Sequence, residues 1–337
     1  MNSLERVVAA IRFEEPDRLP VIPQVFGHAA AVSGVALDAY VQDGELIARC
    51  QTKALERYRY DAVFTVMDVS VETEALGSVL RYRKGQYPVV ERYAFTRESE
   101  WSNLPVPDSL RAGRMPEMVK ALRILRRALG DEYLIVGCVL GPLTLASQLL
   151  GAEATLYMGI DEPERLGSLI DFSAEVITKF GLAQIEAGAH LPIVFDPFAS
   201  PAVVPSQFFR EFELPRLKTV FEAFRRAGAA ANWLHIAGPT QTILPFYPQA
   251  GVDIANFDYC VTPGEAERCL PRACLDGNIK SLSFVEGSPE DIRAQVLMLT
   301  SARARAGGFI LSSGCEIPPE SKEENVAAMV EALRDER

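Results

Sequence analysis

The sequence lacks any excess of positive charge, because 45 Asp and Glu outnumber 34 Lys and Arg and give a formal net charge of -11. A nucleic-acid partner needs a basic face, so this balance argues against one. It also disfavours an anionic membrane surface. The apolar stretch 133–150 is long enough to test as a membrane span, but Pro142 and several polar residues interrupt it. A strand, a turn and a helix explain this stretch better.

The sequence also lacks a C-x-x-C pair among its six cysteines, and a chain of 337 residues is too large to need disulfide staples. We therefore expect reduced thiols in a cytosol. The first twenty residues mix acidic with apolar side chains and lack the apolar core of a signal peptide, which adds to the expectation of a cytoplasmic protein. No linker, low-complexity tract or repeat divides the sequence, so we expect one domain over residues 1–337.

Hydrophobic residues make up 48% of the chain and charged residues 23%, as in a globular protein with a large core. Apolar, β-rich runs recur and are the candidate strands: Pro20–Pro23, Ala62–Met67, Leu134–Leu140, Pro192–Phe195, Asn232–Ile236, Asp253–Phe257, Ala273–Leu275 and Phe309–Leu311. Helical patterns lie between them and include Pro163–Ala187, Pro205–Arg226, Pro263–Arg268 and Pro289–Ala306, with a further helix at Glu324–Arg334.

This alternation of short buried strands and helices predicts parallel βαβ units. About eight strands match a closed α/β barrel, the (β/α)8 TIM barrel. A doubly wound open sheet is the alternative, and polar residues at nearly all strand ends favour the barrel. The segment Ser78–Thr96 alternates apolar and polar residues around Lys84 and Gly85, which predicts a β-hairpin inserted after the second strand.

Catalytic groups of such barrels come from the C-terminal ends of the strands. The polar residues at those ends are Gln24, His28, Asp68, Cys138, Asp196, His235, Asp258, Asp276, Asn278, Cys315 and Glu316. Each taken alone has a structural explanation. Asp196 precedes Pro197 and suits a turn, Asp258 suits a helix cap, Cys138 suits a buried core, and His28 suits a helix start.

His235 and Cys315 are the most specific candidate pair for a metal site, since they follow different strands and only the folded barrel would bring them together. Imidazole nitrogen and thiolate sulfur are preferred zinc ligands. The alternative is a buried histidine with a chance cysteine, and two ligands alone do not make a metal site.

Five segments carry a family resemblance: FTVMDVSVETEALGS (64–78), GPLTLASQLLG (141–151), FDPFASP (195–201), LHIAG (234–238) and GCEIPPESKEENV (314–326). Together they resemble the uroporphyrinogen decarboxylase superfamily, over nearly the whole chain. Within it they resemble the cobalamin-dependent methyltransferase branch. The resemblance implies that zinc is held by a His-x-Cys pair and a distant Cys. His235 and Cys315 match two of these ligands, but Ala237 stands at the position of the middle cysteine.

The resemblance implies a zinc-dependent methyltransferase that moves a methyl group between a corrinoid and a small thiol or a methylated substrate such as a methyl ether. The corrinoid (cobalamin) would be a co-substrate, carried by a partner protein, and a homodimer is expected by analogy. Without the middle cysteine, zinc keeps more positive charge, which suits polarising the oxygen of a methyl ether. Glu316 is the first candidate for the missing ligand, and Asp258, Asp196 and Cys138 are the others.

The remaining residues receive supporting roles in this interpretation. Asp68, Asp196 and Asp258 are the predicted catalytic acid/base or hydrogen-bonding groups. Substrate or corrinoid binding is expected from Gln24, His28, Cys138 and Asn278.

Two other functions stay open. True decarboxylases of the superfamily hold their substrate carboxylates with an arginine-rich motif after the first strand, and residues 21–28 contain no arginine. Those enzymes also have a histidine where Cys315 stands, whereas their pyrrole-binding aspartate matches Asp68. A degenerate member with a binding role is the third interpretation. The retained polar strand ends argue against it.

Overall fold

The computed structural model describes residues 1–97, 99, 101, 104–301 and 307–333. The strands in these residues are β1 (Ala62–Phe64), β2 (Val79–Arg81), β3 (Val89–Arg92), β4 (Leu134–Leu140), β5 (Leu191–Phe195), β6 (Trp233–His235), β7 (Ile254–Asn256), β8 (Cys274–Ile279) and β9 (Phe309–Ser313). The helices up to β5 are α1 (Ser3–Ile11), α2 (Gly27–Ser33), α3 (Leu37–Tyr40), α4 (Gly44–Tyr58), α5 (Val71–Ala75), α6 (Met115–Leu129), α7 (Pro142–Leu150), α8 (Ala152–Asp161) and α9 (Pro163–Glu186). Those after β5 are α10 (Ser206–Phe208), α11 (Leu214–Arg226), α12 (Tyr247–Ala250), α13 (Pro263–Cys269), α14 (Ser283–Glu286), α15 (Pro289–Thr300) and α16 (Glu323–Glu331).

Seven strands form one parallel sheet in the order β1-β4-β5-β6-β7-β8-β9. The extended segment 20–22 lies between its two edges. The Ile22 N–H donates to the Leu311 carbonyl at 2.9 Å on one side, and the Asp61 N–H donates to the Val21 carbonyl at 2.9 Å on the other. Backbone hydrogen bonds therefore continue around the sheet, and the predicted (β/α)8 barrel is confirmed.

The predicted first strand, Pro20–Pro23, forms only a single parallel bridge from Val21 to Leu311. Its two prolines lack an N–H, so only the two residues between them can donate to a neighbouring strand. The N–H of Val21 is used by the side chain of Asp61 at 2.8 Å. The segment closes the barrel without becoming a regular strand.

The predicted hairpin is also confirmed. Strands β2 and β3 pair antiparallel, with Leu80 opposite Val90 and a register shift beside Val79. Gly85 has φ +70° in the connecting turn, a conformation that favours glycine. The hairpin follows β1 along the chain and carries its turn toward the mouth of the barrel, where Tyr87 lines the cavity described below.

The helix predicted over Pro205–Arg226 is interrupted. A π-helical turn at Phe209–Glu213 separates α10 from α11. Pro215 lies in the middle of the predicted helix and has no N–H to give to the preceding turn, which explains the interruption. Of the other predicted helices, residues 302–306 of Pro289–Ala306 and Arg334 of Glu324–Arg334 lie outside the described residues.

The core lies inside the barrel and between the sheet and its helices. Strands β4, β5, β6, β8 and β9 are buried at every position, as expected for parallel strands covered on both faces. The buried Trp233 is the largest side chain in this interior. Among the described residues, no helix combines the length and the apolar character that a membrane crossing needs.

Candidate active site

A cavity of about 180 Å³ opens at the C-terminal ends of the strands. Its walls come from loops that are far apart in sequence and meet only at this end of the barrel. The lining residues are Phe26, Val66, Asp68, Val69, Tyr87, Pro88, Phe195, Pro197, His235, Ala237, Cys315 and Glu316. Most of these side chains are apolar, and the few polar ones are brought together in one small space.

His235 ends β6 and lines the cavity while remaining buried. The side-chain nitrogen of Gln24 lies 3.2 Å from its Nδ1. The Gln24 amide therefore holds the His235 ring through Nδ1 and leaves Nε2 free of this contact. Burial lowers the pKa of His235 to about 3, so the ring is uncharged near neutral pH. Its ring packs against Phe195, with centroids 4.6 Å apart.

Cys315 and Glu316 follow β9 and line the same cavity as His235. Burial raises the pKa of the Cys315 thiol to about 11, so it is protonated at neutral pH. The Tyr87 hydroxyl donates to Oε1 of Glu316, and the Gly27 N–H donates to the same oxygen at 3.2 Å. Burial raises the pKa of Glu316 to about 7 in spite of these bonds.

Asp68 lines the cavity and is paired with a buried cation that sequence reasoning did not identify. Arg114 binds both oxygens of Asp68 and donates from Nε to Glu74 at 2.6 Å. Its Nη1 also donates to the Val41 carbonyl at 2.8 Å. The Ser70 N–H completes the network with a 2.8 Å bond to Asp68. Every nitrogen of the guanidinium is therefore engaged.

Asp196 does not line the cavity. Its Oδ1 accepts from the Thr144 N–H at 2.9 Å, and Glu213 accepts from the Leu143 N–H at 3.0 Å, so the two carboxyls cap the N-terminus of α7 together. A Cβ at Gly141 would lie 2.1 Å from Cγ of Asp196, so only glycine permits this approach. The fully buried position and these bonds give Asp196 a structural role.

Asp196 and Glu213 meet at this buried helix end, and burial raises the pKa of both carboxyls, that of Glu213 well above its usual range. One proton is therefore retained by the pair in the folded state at pH values where the unfolded chain has lost it.

We expect Glu213→Gln to flatten the dependence of stability on pH. The raised pKa means that the pair's stabilisation is complete below about pH 4 and is lost as pH rises through the folded pKa. The free energy of unfolding of the parent should fall, relative to the variant, by up to about 1.4 kcal/mol per pH unit above pH 5. Urea unfolding from pH 5 to 8 measures this. Parallel curves for the two proteins would show that the pair does not share a proton.

Asp258 and Asn278 lie next to the cavity without lining it. The two oxygens of Asp258 accept from the Gly238 N–H at 2.9 Å and the Tyr259 N–H at 2.7 Å. Nδ2 of Asn278 donates to the carbonyls of Asp258 and Val261. These contacts hold the β7–α13 loop in place, so the structure gives both residues a supporting position.

His28 and Cys138 also lie outside the cavity lining. Both ring nitrogens of His28 are engaged, with the Tyr58 hydroxyl at 2.9 Å and the Pro319 carbonyl at 3.2 Å. Cys138 is buried within β4, and Gln184 bonds its backbone on both sides. The substrate-binding role predicted for these two residues has no contact with the cavity to support it.

Gln24 is likewise fully buried and outside the lining, but it acts on a residue that lines the cavity. Its backbone N–H donates to the Ser313 hydroxyl at 3.1 Å and its carbonyl accepts from the Ile317 N–H at 3.0 Å. The fixed backbone places the amide against His235.

We expect Gln24→Met to release the His235 ring, because methionine fills a similar volume but lacks the amide that lies against Nδ1. The parent should show a single neutral tautomer of His235 by ¹⁵N NMR, because one end of the Gln24 amide holds Nδ1, and the variant should show a mixture. The signals of His190, which lies elsewhere, are the internal control. An unchanged tautomer would mean that Gln24 has only a packing role.

The predicted zinc site needs at least three protein donors around one position. Within the described ranges, no group of three or more His, Cys, Asp or Glu side chains is placed to hold a metal ion. Glu316, the predicted third ligand, is already bound by the Tyr87 hydroxyl and the Gly27 N–H. The described residues therefore do not fit a preformed zinc centre with three protein ligands.

Sequence reasoning missed Tyr87 and Arg114. Tyr87 lies within the predicted hairpin, and an aromatic residue beside Pro88 gives no indication of the cavity in sequence. Arg114 stands directly before α6 as its N-cap, where a cation is unfavourable for the helix dipole. That unfavourable position was the available signal that the guanidinium has another partner.

Similarity to known proteins extends over nearly the whole chain. The family model described as uroporphyrinogen decarboxylase (URO-D) matches residues 2–336. A methylcobamide:CoM methyltransferase MtaA from Methanosarcina barkeri is 28% identical over 339 residues, covering 98% of this chain and 97% of the relative. A uroporphyrinogen decarboxylase from Neisseria meningitidis is 26% identical over 314 residues, covering 90% and 86%. A solved methyltransferase from Methanosarcina mazei superposes with a TM-score of 0.91 at 26% identity and covers 99% of both chains.

Proposed function

The chain belongs to the uroporphyrinogen decarboxylase family and is a methyltransferase, and we propose that it moves a methyl group between a corrinoid and a small thiol or methylated substrate. The observation that carries this proposal is the shared position of His235, Cys315 and Glu316 on the walls of one apolar cavity. Relatives named as corrinoid methyltransferases align with this chain from end to end, which supports the same reaction class.

The volume of the cavity implies that the two reactants bind at two different positions, because only the smaller one fits inside. A volume of about 180 Å³ accommodates a compact small molecule, whereas a corrin macrocycle is far larger. The corrinoid therefore covers the mouth and presents its cobalt to the cavity, free or on a carrier protein. The small substrate occupies the cavity itself.

The homodimer stays a prediction.

The lining residues bind and orient the small substrate. His235 directs an N–H into the cavity from Nε2 and remains uncharged, so it stabilises negative charge on the sulfur or oxygen from which the methyl group departs. Cys315 lines the same wall as a neutral thiol. The apolar walls exclude water from the path between the substrate and the cobalt. Asp68 holds the loop after β1 through Arg114.

Zinc does not enter this proposal as a resident ion, because the donor set does not fit it. Metal analysis of protein purified without added metal, beside Cys315→Ala, tests this directly. We expect no stoichiometric zinc in either protein. About one zinc per chain in the parent, absent from the variant, would restore the sequence-based prediction of a His235, Cys315 and Glu316 site.

We expect Ala237→Cys to create the zinc site that the parent lacks. Residue 237 lines the cavity together with His235 and Cys315, so a thiol there adds a third donor. The variant should retain about one zinc per chain after the free zinc has been removed by dialysis. Ala237→Ser, of similar size but without a thiolate, is the control. Zinc content equal in the two variants would show that residue 237 does not face the other donors.

The decarboxylase alternative has one observation in its favour, the alignment of a uroporphyrinogen decarboxylase with 90% of this chain. The lining of the cavity argues against it, since no Lys or Arg is found among the lining residues of the described chain. A substrate with many carboxylates would find no guanidinium to pair with.

The direct test is an anaerobic assay that combines methylcob(III)alamin, a thiol and the protein, followed by the visible absorbance of cob(I)alamin. The reverse assay uses cob(I)alamin and a methyl thioether or methyl ether. Catalysed transfer in either direction supports the proposal. Rates equal to those without protein in both directions, together with decarboxylation of a porphyrinogen, would replace it with the decarboxylase function.

A further inference from the structure

The hairpin of β2 and β3 concentrates positive charge on a chain that is otherwise acidic. Residues 79–93 contain four cations against the single anion Glu91, and the cations are Arg81, Arg83, Lys84 and Arg92. The segment therefore has a net charge of +3, whereas the rest of the chain carries -14. A local excess of one sign that opposes the net charge of the protein attracts groups of the opposite sign to that place.

Two of these cations, Arg83 and Lys84, lie in the exposed turn of the hairpin. Arg81 pairs with Glu91 across the two strands at 3.5 Å. Within the part of the chain that the structure describes, no carboxylate forms an ion pair with Arg83 or Lys84. Their positive charges therefore remain available to a bound anion.

The turn is held in a fixed position beside the mouth of the cavity. The Gln86 N–H donates to the Arg83 carbonyl at 3.1 Å, which closes the turn. The Gly85 N–H donates to Oδ1 of Asp38 at 2.9 Å, which ties the turn to α3. The chain then runs directly into Tyr87, which lines the cavity. Because the turn is already ordered, binding a ligand there costs little conformational entropy.

The corrinoid brings an anion that suits this position. A cavity of about 180 Å³ is too small for a corrin ring, so the ring covers the mouth and its substituents extend over the surrounding loops. Most of these substituents are neutral amides, whereas the nucleotide tail at the edge of the ring contains a negatively charged phosphodiester. Arg and Lys side chains bind phosphate through charge-assisted hydrogen bonds, and Arg can donate two of them in parallel.

We infer that Arg83 and Lys84 bind the phosphodiester of the corrinoid's nucleotide tail and thereby select corrinoids that retain this tail. The inference rests on the proposed function, in which the corrinoid covers the mouth. Neither residue is among the described residues that line the cavity, so the small substrate does not contact them. Their replacement should weaken binding of the corrinoid and leave KM for the small substrate unchanged.

Three methylated corrinoids test the inference: cobalamin has the complete tail, cobinamide phosphate keeps the phosphate without the base, and cobinamide lacks both. Equilibrium dialysis in the dark, followed by visible absorbance, gives their dissociation constants. We expect methylcobinamide to bind about tenfold more weakly than the other two, the scale of one charge-assisted hydrogen bond. The acidic net charge alone predicts the opposite order, because methylcobinamide lacks the negative phosphate.

Two results of this comparison would overturn the inference. Methylcobinamide that binds as tightly as methylcobalamin would show that the tail is not recognised. Cobinamide phosphate that binds as weakly as cobinamide would assign the preference to the base of the tail and not to its phosphate.

A pair of double variants locates the effect on the hairpin. Arg83→Gln with Lys84→Gln should bring the three dissociation constants to within about threefold of one another, since the ion pairs with the phosphate are lost. Arg49→Gln with Lys53→Gln is the matched control, because it removes the same two charges from the exposed face of α4, which borders a different surface groove. The control should keep the parent's preference. A preference retained in the hairpin variant, or lost equally in the control, would contradict the assignment.

The transfer assay decides the proposed function separately, with methylcobalamin and methylcobinamide as donors and each rate divided by the rate without protein. Faster transfer from methylcobalamin in the parent, but not in the hairpin variant, supports both statements. Equal transfer from both donors in the parent keeps the proposed function and overturns the inference. Absence of transfer from either donor overturns the proposed function, while the binding data still decide whether the hairpin recognises the tail.

Discussion

Replacing Arg114 with methionine should lower the free energy of unfolding by about 3–5 kcal/mol, the range found when one partner of a buried ion pair is removed. The guanidinium is the shared partner of Asp68 and Glu74, and Arg114 and Asp68 are both at least nine-tenths buried. Methionine fills a similar volume, so the loss reports the unpaired charge of Asp68 and not a cavity. Urea unfolding at pH 7 measures the change.

Arg111→Met is the matched control. Arg111 lies three residues earlier, its side chain is 87% exposed, and its pairing with Asp108 at 3.5 Å is a surface contact. Its replacement should change stability by no more than about 0.5 kcal/mol. The double change Asp68→Asn with Arg114→Met should recover part of the loss, because no charge is then left buried. Similar losses for Arg111→Met and Arg114→Met would refute the buried network.

Replacing His235 with leucine should lower kcat/KM for methyl transfer about 100- to 1,000-fold, as removal of a preorganised hydrogen-bond donor does in other enzymes. The ring is held by Gln24 and is uncharged, and in the proposed mechanism it directs Nε2–H into the cavity without reorganisation during the reaction. The effect should fall on kcat more than on KM, since the donor acts on charge that develops as the methyl group leaves.

His190→Gln serves as the control for this change. His190 lies at the other end of β5, where it contacts Arg126 and the Ile135 N–H. We expect its replacement to change kcat/KM less than threefold, roughly the scale of a substitution without contact to the reacting atoms. A thermal melt of each variant verifies folding at the assay temperature. If His235→Leu stays within tenfold of the parent, the proposed reaction does not use this ring.

The fold could be predicted because parallel strands that are covered on both faces consist of short runs of apolar residues. The strand predicted at Leu134–Leu140 is observed with the same bounds. The strand predicted at Phe309–Leu311 is observed two residues longer, as far as Ser313. The segment Pro20–Pro23 has the same composition, yet it forms one bridge, since its prolines remove donors from the ladder. Composition identifies a buried segment, whereas the hydrogen-bond donors decide its regularity.

The site could be predicted only in part. His235 and Cys315 were paired from sequence, and both line the cavity with Asp68 and Glu316. Asp196 stands at a strand end as well, but its partners are Thr144 and Glu213, so it caps a helix. A strand end places a residue at the correct face of the barrel; its neighbours decide whether the side chain turns toward the substrate.

The sequence by itself determined the barrel, the hairpin and the end of the barrel at which chemistry occurs, because these depend on local hydrophobic patterns and on the handedness of βαβ units. The tertiary structure decided which polar groups meet. Arg114 reaches Asp68 across 46 residues, Tyr87 reaches Glu316 across 229, and Gln24 reaches His235 across 211. Charge pairing, proton sharing and tautomer choice depend on distances of a few ångströms in a medium of low polarity, and only the folded chain sets those distances.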